Sequence, residues 1–430
     1  MKCYMSYAIR LQHEYKTIHQ TVSYYRSCVK TLIDIVSIEY NNSKTMKSLE
    51  FQNYIEHCIH TTRRNVAKYS CFDKNYYKFP TYLRRAAISE AIRIVTSYHS
   101  FVANWEANGC KGKKPRLNKN QSVMPCLFKK NMFDLVGGNK CKIKLYINHD
   151  WKWVTFTMKR GDLKYIKKCF VLENGSSPVI EKRNKKYALR FVFQKEVSLP
   201  KSVTRVCAVD LGINHDAVCS IINDDGTVTA RRFINHAVEK DHLYRIVNQI
   251  KKAQSNGNKK TPKLWRYADN YNSTISNETV KDIISFALEY AADCIVCEHL
   301  DIQGKVCGSK KQKLHLWRKK EMIHKLEARA HIEGMRFSTV SAVRTSKLAY
   351  DGSGEVKRDT NNYSLCTFTT GKQYNCDLNA SYNIGARYFI GEELKTLSES
   401  KRLDIEAKVP ECSKRTSSTL STLIRLYAVI

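Results

Sequence analysis

The chain lacks any long hydrophobic run. No window of its 430 residues approaches the roughly 18 to 20 apolar residues that cross a bilayer, and the start, Met1-Lys2-Cys3-Tyr4, lacks the apolar core of a secretion signal. We therefore expect a cytosolic protein without a membrane partner. The 16 cysteines are scattered and do not form the dense framework of small secreted domains. We interpret them as reduced thiols, mostly buried.

Acidic residues are also scarce. The chain has 40 Asp and Glu against 73 Lys and Arg, a formal net charge of +33. Such an excess repels itself in a compact particle unless a polyanion neutralises it, so nucleic acid is the expected partner. With 25 Tyr, 15 Phe and 43 % hydrophobic residues, the chain can bury substantial cores, unlike a short ribosomal or histone-like binder. Its length predicts two or three domains.

The motifs of several enzyme classes are missing. The sequence has no Gly-rich loop before Lys-Ser/Thr, no His-Glu-x-x-His and no Gly-x-Ser-x-Gly. These absences exclude P-loop nucleotide hydrolases, zincin metalloproteases and α/β-hydrolases. A catalytic site must therefore be sought in another pattern.

The first part of the chain combines helical and strand patterns. A strand-like run at residues 4–11 leads into helical sequence, clearest at about residues 83–105, where apolar residues recur every three or four positions. From Met124 the period changes to two, which predicts a small antiparallel β barrel. We expect residues 1–201 to bind nucleic acid, with a helical segment inserted into the barrel at about residues 12–123.

Basic residues of this region lie on the predicted helix and in the loop after it. The candidate contacts are Arg84, Arg85, Lys111, Lys113, Lys114, Arg116 and Lys119. We predict that these seven side chains contact phosphates, although a solvated charge run without function explains the loop equally well. On the barrel, Trp151 and Trp153 either stack on bases or belong to the core.

A second domain is predicted at residues 202–391. Three consecutive strands are followed by helices, and these alternate with two more strands. The predicted strands are 206–209, 217–222, 227–233, 294–297 and 337–343, and the helices are about 237–253, 278–292 and 317–333. Strands with crossover helices indicate a mixed α/β sheet. Residues 392–430 are interpreted as a polar C-terminal tail.

Three carboxylates stand at element ends in this domain. Asp210 ends the first strand, Glu298 follows the strand 294–297, and Asp377 enters a helix. In an RNase-H-like sheet the two strands are neighbours and the helix crosses near their ends, so the carboxylates can converge. Such oxygen ligands suit Mg²⁺ or Mn²⁺. Two ions about 3.5 to 4 Å apart can activate water and stabilise the leaving oxyanion of a phosphodiester. We predict that Asp210 bridges two ions and that Glu298 and Asp377 each complete one site.

These motifs resemble a known family. The order Asp-Leu-Gly, Glu-His-Leu and Asp-Leu-Asn-Ala-x-x-Asn-Ile is similar to the split RuvC nuclease domain of the transposon-associated TnpB proteins and of the related type V CRISPR effectors. The resemblance covers about residues 203–391. It implies cleavage of double-stranded DNA directed by a guide RNA, in the prokaryotic cytosol or nucleoid. It also implies that residues 1–201 form a wedge-like barrel unit with an inserted helical recognition segment, which would hold the guide heteroduplex and read a short motif beside the target.

One segment departs from the family pattern. The family usually inserts a four-cysteine zinc ribbon where this chain has residues 345–376, and here only Cys366 and Cys376 remain. We expect a degenerate insertion that binds no zinc, since a closed zinc site needs four ligands. An apolar cluster should hold it together instead. Its predicted members are Leu348, Tyr350, Tyr363, Leu365, Phe368 and Tyr374.

Three alternatives stay open. A nuclease-silent, RNA-guided DNA-binding repressor should have lost a carboxylate. A transposase or integrase of the Asp/Glu type should close its triad with Glu, whereas this chain has Asp377. A structural RNA-binding protein explains the charge but not the placed acids. The sequence leaves the guide RNA, the flanking motif and the oligomeric state open, and we favour a monomer.

Overall fold

The computed structural model describes most of the chain as two compact units. The described residues are 1–12, 15–168, 170–183, 186–212, 215–258, 260–299, 318–414 and 416–430. One unit is Tyr4–Lys195, and the other joins Met1–Cys3 to Glu196–Ile430. The boundary predicted from the sequence lies six residues later, after residue 201. Among the described residues no helix is long and apolar enough to span a membrane.

The helices of the first unit surround a shared core. Their bounds are α1 Tyr15–Glu39, α2 Ser48–Ile59, α3 Cys71–Asn75, α4 Thr81–Ala107 and α5 Arg160–Lys167. Helix α4 contains the segment predicted at residues 83–105. It buries Leu83, Ala87, Ile88, Ala91 and Val95, which recur at three- and four-residue steps and so lie on one face.

The strands of the first unit form an open antiparallel sheet. Their bounds are β1 Lys2–Gln12, β2 Phe133–Gly137, β3 Lys140–Ile147, β4 Asp150–Met158, β5 Val179–Arg183 and β6 Lys186–Glu196. The order is β2-β3-β4-β1-β6-β5, so β2 and β5 are edges in the part of the chain that the structure describes. The closed barrel predicted from the period-two pattern is therefore not confirmed. Helix α1 covers the apolar face of the sheet, with Ile18 and Leu32 in one core with Ile143 and Phe191.

The second unit is built on a mixed five-stranded sheet. Its strands are β7 Arg205–Asp210, β8 Ala217–Asn223, β9 Val228–Ile234, β10 Cys294–His299 and β11 Arg336–Ser341. The order is β11-β10-β7-β8-β9. Strands β7, β8 and β9 pair antiparallel, and β10 pairs in parallel with both β7 and β11. The predicted meander and the mixed α/β architecture are thus present.

Helices cover both faces of this sheet. Their bounds are α6 Ala237–Ser255, α7 Pro262–Glu289, α8 Lys319–Ile332, α9 Cys376–Thr396, α10 Glu399–Lys408 and α11 Leu420–Tyr427. Helices α7 and α8 pack on one face, and α9 packs on the other. Helix α7 begins at Pro262 and not near residue 278, because its first half packs against α6 through Ala268 and Ile275 and so needs no contact with the sheet. The predicted start of α8 at Trp317 lies outside the described residues.

Residues 392–430 do not form a separate tail. Helix α9 continues to Thr396, and Leu420, Leu423 and Leu426 of α11 are buried in the core that α9 forms with the sheet. The spacing of three between these leucines gives α11 one apolar face. The residues around these leucines are mostly polar, so the sequence analysis did not detect the helix. The predicted polar tail is therefore corrected to a segment whose last helix packs on the second unit's core.

Candidate active site

Asp210 and Glu298 lie side by side at the ends of two parallel strands. The register aligns Cys297 of β10 with Val209 of β7, so the next residue on each strand is one of the two acids. The chain leaves β7 through Gly212, where a Cβ atom would lie 2.8 Å from the carbonyl oxygen of His215. The glycine of the Asp-Leu-Gly motif is thus required by a close backbone approach at the site.

Helix α9 brings Asp377 to the same edge of the sheet. The side-chain oxygen of Asn375 caps the helix by accepting hydrogen bonds from the N–H groups of Asp377 and Leu378, at 3.0 and 2.9 Å. The helix lies very close to the sheet at Gly385, where a Cβ atom would be 2.5 Å from Cδ1 of Ile222. This close packing of α9 on the sheet fixes the position of its first turn, which carries Asp377.

The three carboxylates interact electrostatically. Burial among protein atoms is the largest cause that raises the pKa of Asp210 well above its usual range, and the negative charges of Glu298 and Asp377 add to it. The positive charges of Lys319 and Arg358 act in the opposite direction. An acid in such surroundings is stabilised in its charged form by a cation, which is the behaviour expected at a metal-binding site.

Glu298 is held through both of its oxygens. Thr345 donates its hydroxyl proton to Oε1, and Nζ of Lys319 lies 3.7 Å from Oε2. All three residues are buried, with 8 % of Glu298, 2 % of Thr345 and 4 % of Lys319 exposed. Because a buried carboxylate needs partners for its lone pairs, this environment fixes the orientation of Glu298 in the absence of metal.

Two buried asparagines of the Asp-Leu-Asn-Ala-x-x-Asn-Ile motif hold the segment that supplies Thr345. Asn379 donates to the carbonyl of Leu348 and accepts from the N–H of Tyr350, both at 2.8 Å. Asn383 donates to the carbonyls of Thr345 and Leu348, both at 2.9 Å. The asparagines thus link helix α9, which carries Asp377, to the residue that orients Glu298. They act as positioning residues and not as ligands.

The donor set suits a hard divalent cation. Three carboxylates supply oxygen ligands of the kind that Mg²⁺ and Mn²⁺ prefer. No three Asp, Glu, His or Cys side chains in the described parts of the chain converge closely enough to enclose one ion. The arrangement therefore fits ions that each take one or two protein carboxylates and complete their shells with water and phosphate oxygens, as Mg²⁺ does.

The sequence did not single out Lys319 and Arg358. Lys319 is one of many lysines, and its contact with Glu298 joins residues 21 positions apart across a segment without a motif. Arg358 is exposed on a two-residue strand, β12 Lys357–Arg358. Thr345 begins a Thr-Ser-Lys run at residues 345–347, which by itself indicates no role. Only the structure assigns it to Glu298.

The segment 345–376 folds around an apolar cluster. Strands β12, β13 Leu365–Thr367 and β14 Gln373–Asn375 form a small antiparallel sheet. Tyr350, Phe368 and Tyr374 pack with the buried thiols of Cys366 and Cys376, as predicted for the three aromatic rings. Tyr363, also predicted to join, is 63 % exposed. Burial raises the pKa of Cys366 to about 12, so this thiol is neutral in its apolar surroundings.

The predicted nucleic-acid contacts on α4 are engaged within the protein. Arg84 is buried, with its Nη2 3.0 Å from Oε1 of Glu56. Arg85 is half exposed, and its Nε lies 2.8 Å from the other oxygen of Glu56. Contrary to the prediction, Arg84 is not offered to a phosphate, because a buried guanidinium paired with a carboxylate is unavailable to a ligand. Arg85 keeps only part of its surface for one.

The loop after α4 keeps its basic side chains exposed. They are Lys111, Lys113, Lys114, Arg116 and Lys119. Nζ of Lys119 lies 2.5 Å from Oδ1 of Asp34, and Lys114 lies over the ring of Trp105. On the sheet of the same unit, Trp151 belongs to the core and Trp153 is 43 % exposed. Of the two tryptophans, only Trp153 offers a ring to a base.

We compared the chain with protein families, curated sequences and solved structures. A family model described as the Aq_aa04 family matches residues 5–147, about a third of the chain. No curated protein sequence matches it. The solved structures of a Cas12f1-sgRNA-target DNA complex and of the mini-RNA-guided endonuclease CRISPR-Cas_phi3 do match.

The two structural matches extend over most of each chain. For Cas12f1 the TM-score is 0.57 at 14 % identity, over 86 % of this chain and 81 % of that one. For CRISPR-Cas_phi3 the TM-score is 0.51 at 9 % identity, over 89 % of this chain and 92 % of that one. The chain therefore shares its fold with these two solved structures.

Proposed function

We propose that the protein is an RNA-guided endonuclease that cleaves double-stranded DNA by metal-dependent phosphodiester hydrolysis. The observation that carries the proposal is the arrangement of Asp210, Glu298 and Asp377 at one edge of the five-stranded sheet, where Asp210 interacts electrostatically with both other acids. The strand order, with the first two acids on adjacent parallel strands, supports an RNase-H-like nuclease domain of the RuvC type. The fold shared with RNA-guided effectors supports the guided mode of action.

Each carboxylate has a distinct role in this proposal. Asp210 would bridge two ions, and Glu298 and Asp377 would each complete the shell of one. When bound, the ions supply activation of water and stabilisation of the leaving oxyanion. Thr345 and Lys319 hold Glu298 in place before the ions arrive. The two buried asparagines of α9 keep the segment around Thr345 and the start of the helix in fixed relation.

The partners follow from charge and fold. A formal charge of +33 needs a polyanion, and a guide RNA with its DNA target supplies one. Lys111, Lys113, Lys114 and Arg116 would contact phosphates. Pairing between guide and target would select the sequence, and the protein would recognise a short motif beside it, as the resemblance implies.

Replacing each acid separately tests the proposal. Asp210→Ala, Glu298→Ala and Asp377→Ala should each abolish DNA cleavage, because loss of one ligand disrupts a site that both ions share. Binding of guide and target should survive, since affinity comes mainly from Lys and Arg on phosphates. Asp282→Ala, which removes a half-exposed acid of the same unit, is the control and should cleave normally. Wild-type cleavage in any of the three variants would remove that residue from the site.

The dependence of cleavage on metal and on guide RNA distinguishes a guided nuclease from an integrase or a nuclease-silent repressor. Cleavage should need Mg²⁺ or Mn²⁺, stop with a chelator and depend on a matching guide RNA. Sequence-specific cutting by RNA-free protein would contradict the guided mode and favour a transposase or integrase. Guided binding without cleavage by the wild-type protein in either metal would identify a nuclease-silent repressor instead.

A further inference from the structure

A basic cleft lies in the first unit between the turn that joins β2 to β3 and helix α5. Its volume is about 510 Å³. Gly138 and Asn139 line one side, and Arg160, Leu163, Lys164, Lys167 and Lys168 line the other. Four of these seven residues are basic and none is acidic. The basic loop predicted from the sequence is a different segment, at residues 111–119.

Three of the four cations lie on α5 and Lys168 directly follows it, and their spacing places all four on one face. Positions 160, 164, 167 and 168 recur at steps of three and four residues, which places them together on a helix of 3.6 residues per turn. Helix α5 contains one acidic residue, Asp162, and this residue is paired with Arg10 of β1. It accepts hydrogen bonds from the backbone N–H of Arg10 at 3.0 Å and from the guanidinium of Arg10 at 2.9 and 2.6 Å. The cleft therefore keeps its full positive charge.

This arrangement is unfavourable for the protein alone. Arg160 and Lys164, and Lys164 and Lys168, are like-charge pairs four residues apart, and Lys168 directly follows the eight-residue α5. Several other basic residues of the unit are paired with carboxylates, among them Arg190 with Glu181 at 2.5 Å. Within the described residues, none of the four cleft cations lies within ion-pair distance of a carboxylate. An external anion would remove the repulsion.

On the opposite wall of the cleft, the backbone of the β2–β3 turn is not covered by side chains. Gly137 and Gly138 have φ of 104° and 59°, and no atom lies within 4 Å of a Cβ built at either residue. Asn139 fixes the turn by donating to the carbonyl of Met158 at 3.3 Å. A phosphodiester strand can therefore approach the turn without steric conflict while its phosphates face the cations of α5.

We infer that this cleft binds the phosphodiester backbone of the guide RNA. The inference rests on the proposed function and specifies where the first unit holds its guide. The cleft belongs to the unit that lacks the three carboxylates, which suits a strand that must be retained and not cut. Contacts of this kind position a strand without reading its sequence. They neutralise up to four phosphates and release their counterions.

The test compares two variants with the same change of charge. Arg160→Gln, Lys164→Gln, Lys167→Gln and Lys168→Gln together remove the cleft cations. The control removes four exposed lysines dispersed over the same unit, by Lys16→Gln, Lys30→Gln, Lys44→Gln and Lys74→Gln. Gln keeps the helix propensity of Lys, so the cleft variant should melt at the wild-type temperature or above it, since repulsion within α5 is relieved.

The probe is the RNA that co-purifies with the protein expressed from its native locus. Its affinity should fall at least about tenfold in the cleft variant, and the plot of log K against log salt should become shallower by about 2 to 3 units. The control variant should lose much less affinity. At saturating RNA, target-DNA binding and cleavage by the cleft variant should match the wild type. Hydroxyl-radical footprinting should show RNA phosphates that lose protection only in the cleft variant.

Three outcomes would overturn the inference. Equal losses in the two variants would show that total charge matters and not the cleft. Unchanged RNA affinity with weakened DNA binding would assign the cleft to the target. Unchanged affinity for both would leave the cleft without this role. If no RNA co-purifies, the proposed function fails, and the cleft is then tested separately with oligo(U), which should still bind more weakly to the cleft variant than to the control.

Discussion

At the scale of single residues, the buried contact between Lys319 and Glu298 has the clearest consequence. The ammonium lies 3.7 Å from a carboxylate oxygen, and both side chains are almost inaccessible to solvent. Lys319 therefore supplies positive charge to Glu298 before any metal is bound. A divalent ion on the same carboxylate must tolerate this ammonium, so Lys319 should stabilise the metal-free protein and weaken its affinity for metal.

Replacing Lys319 separates these two effects. Lys319→Met should destabilise the metal-free protein by about 2 to 4 kcal/mol, because it leaves a buried carboxylate without its cation. The rise in Tm caused by Mn²⁺ should be larger than in the wild type, because the competing charge is gone. Differential scanning calorimetry with and without Mn²⁺ measures both. Lys320→Met, at the exposed neighbouring position, should change neither. An equal Mn²⁺-dependent rise in Lys319→Met and wild type would contradict the competition.

At the scale of elements, the packing of helix α9 on the sheet positions Asp377. Gly385 permits this packing, because an added Cβ atom would meet Ile222 at 2.5 Å and Ala208 at 3.2 Å. A side chain here must either push α9 away from β7 and β8 or displace Ile222. Because Asp377 is in the first turn of the same helix, a small displacement of α9 alters its distance from Asp210.

A pair of glycine substitutions in α9 tests this dependence. Gly385→Ala should lower stability by about 1 to 3 kcal/mol through overpacking and reduce the cleavage rate at least about tenfold. Gly391→Ala is the matched control, since nothing lies within 4 Å of its added Cβ. It should leave cleavage unchanged and raise stability by about 0.4 to 1 kcal/mol. Guanidinium unfolding and single-turnover cleavage give the two readouts. Similar behaviour of both variants would show that the close approach at Gly385 has no role.

The segment 345–376 provides a second test at this scale. Purified protein should contain no stoichiometric zinc, because the segment offers only two cysteines and they are buried in an apolar cluster with Phe368 and Tyr374. Cys366→Ser should therefore leave cleavage largely intact. Elemental analysis and a cleavage assay check both statements. About one zinc per chain, lost together with activity in this variant, would show that the segment is a zinc site.

At the scale of the whole molecule, one buried acid connects three segments of the first unit. Glu39, at the end of α1, accepts hydrogen bonds from Tyr54 of α2 and from Lys68 and Tyr69 of the following loop, at 2.8, 2.6 and 2.5 Å. Burial alone would raise its pKa, but these three hydrogen bonds outweigh burial and lower the pKa to about 2. The folded state therefore favours the carboxylate over the protonated acid.

This pKa sets a pH window for stability. The contribution of Glu39 is fully present above its unfolded pKa of about 4.3 and is lost as pH falls through about 2. Glu39→Gln should therefore lower the free energy of unfolding by about 2 to 3 kcal/mol at pH 7, with the difference shrinking below about pH 4. Urea unfolding across this pH range, with Glu50→Gln on the surface of α2 as control, measures it. A constant difference down to pH 2 would contradict the assignment.

The sequence by itself determined the features that depend on residues close together in the chain. Steps of three and four residues predicted α4, and short apolar runs bounded by turn residues predicted the meander β7 to β9 and the strand that carries Glu298, because local patterns report which residues of an element are buried. Asp210, Glu298 and Asp377 were identified by their positions at element ends. The basic loop at residues 111–119 was visible from composition alone.

Tertiary structure decided whatever depends on partners distant in the chain. Arg84 has the same local pattern as an exposed basic residue, and only its contact with Glu56, 28 positions away, makes it a structural ion pair. The period-two pattern of the first unit fits an open sheet as well as a barrel, because each strand buries one face in either case. Likewise, the contact of Lys319 and Thr345 with Glu298 arises from helix and strand packing. The free energy of such contacts comes from burial and charge, which are properties of the folded neighbourhood and not of the local sequence.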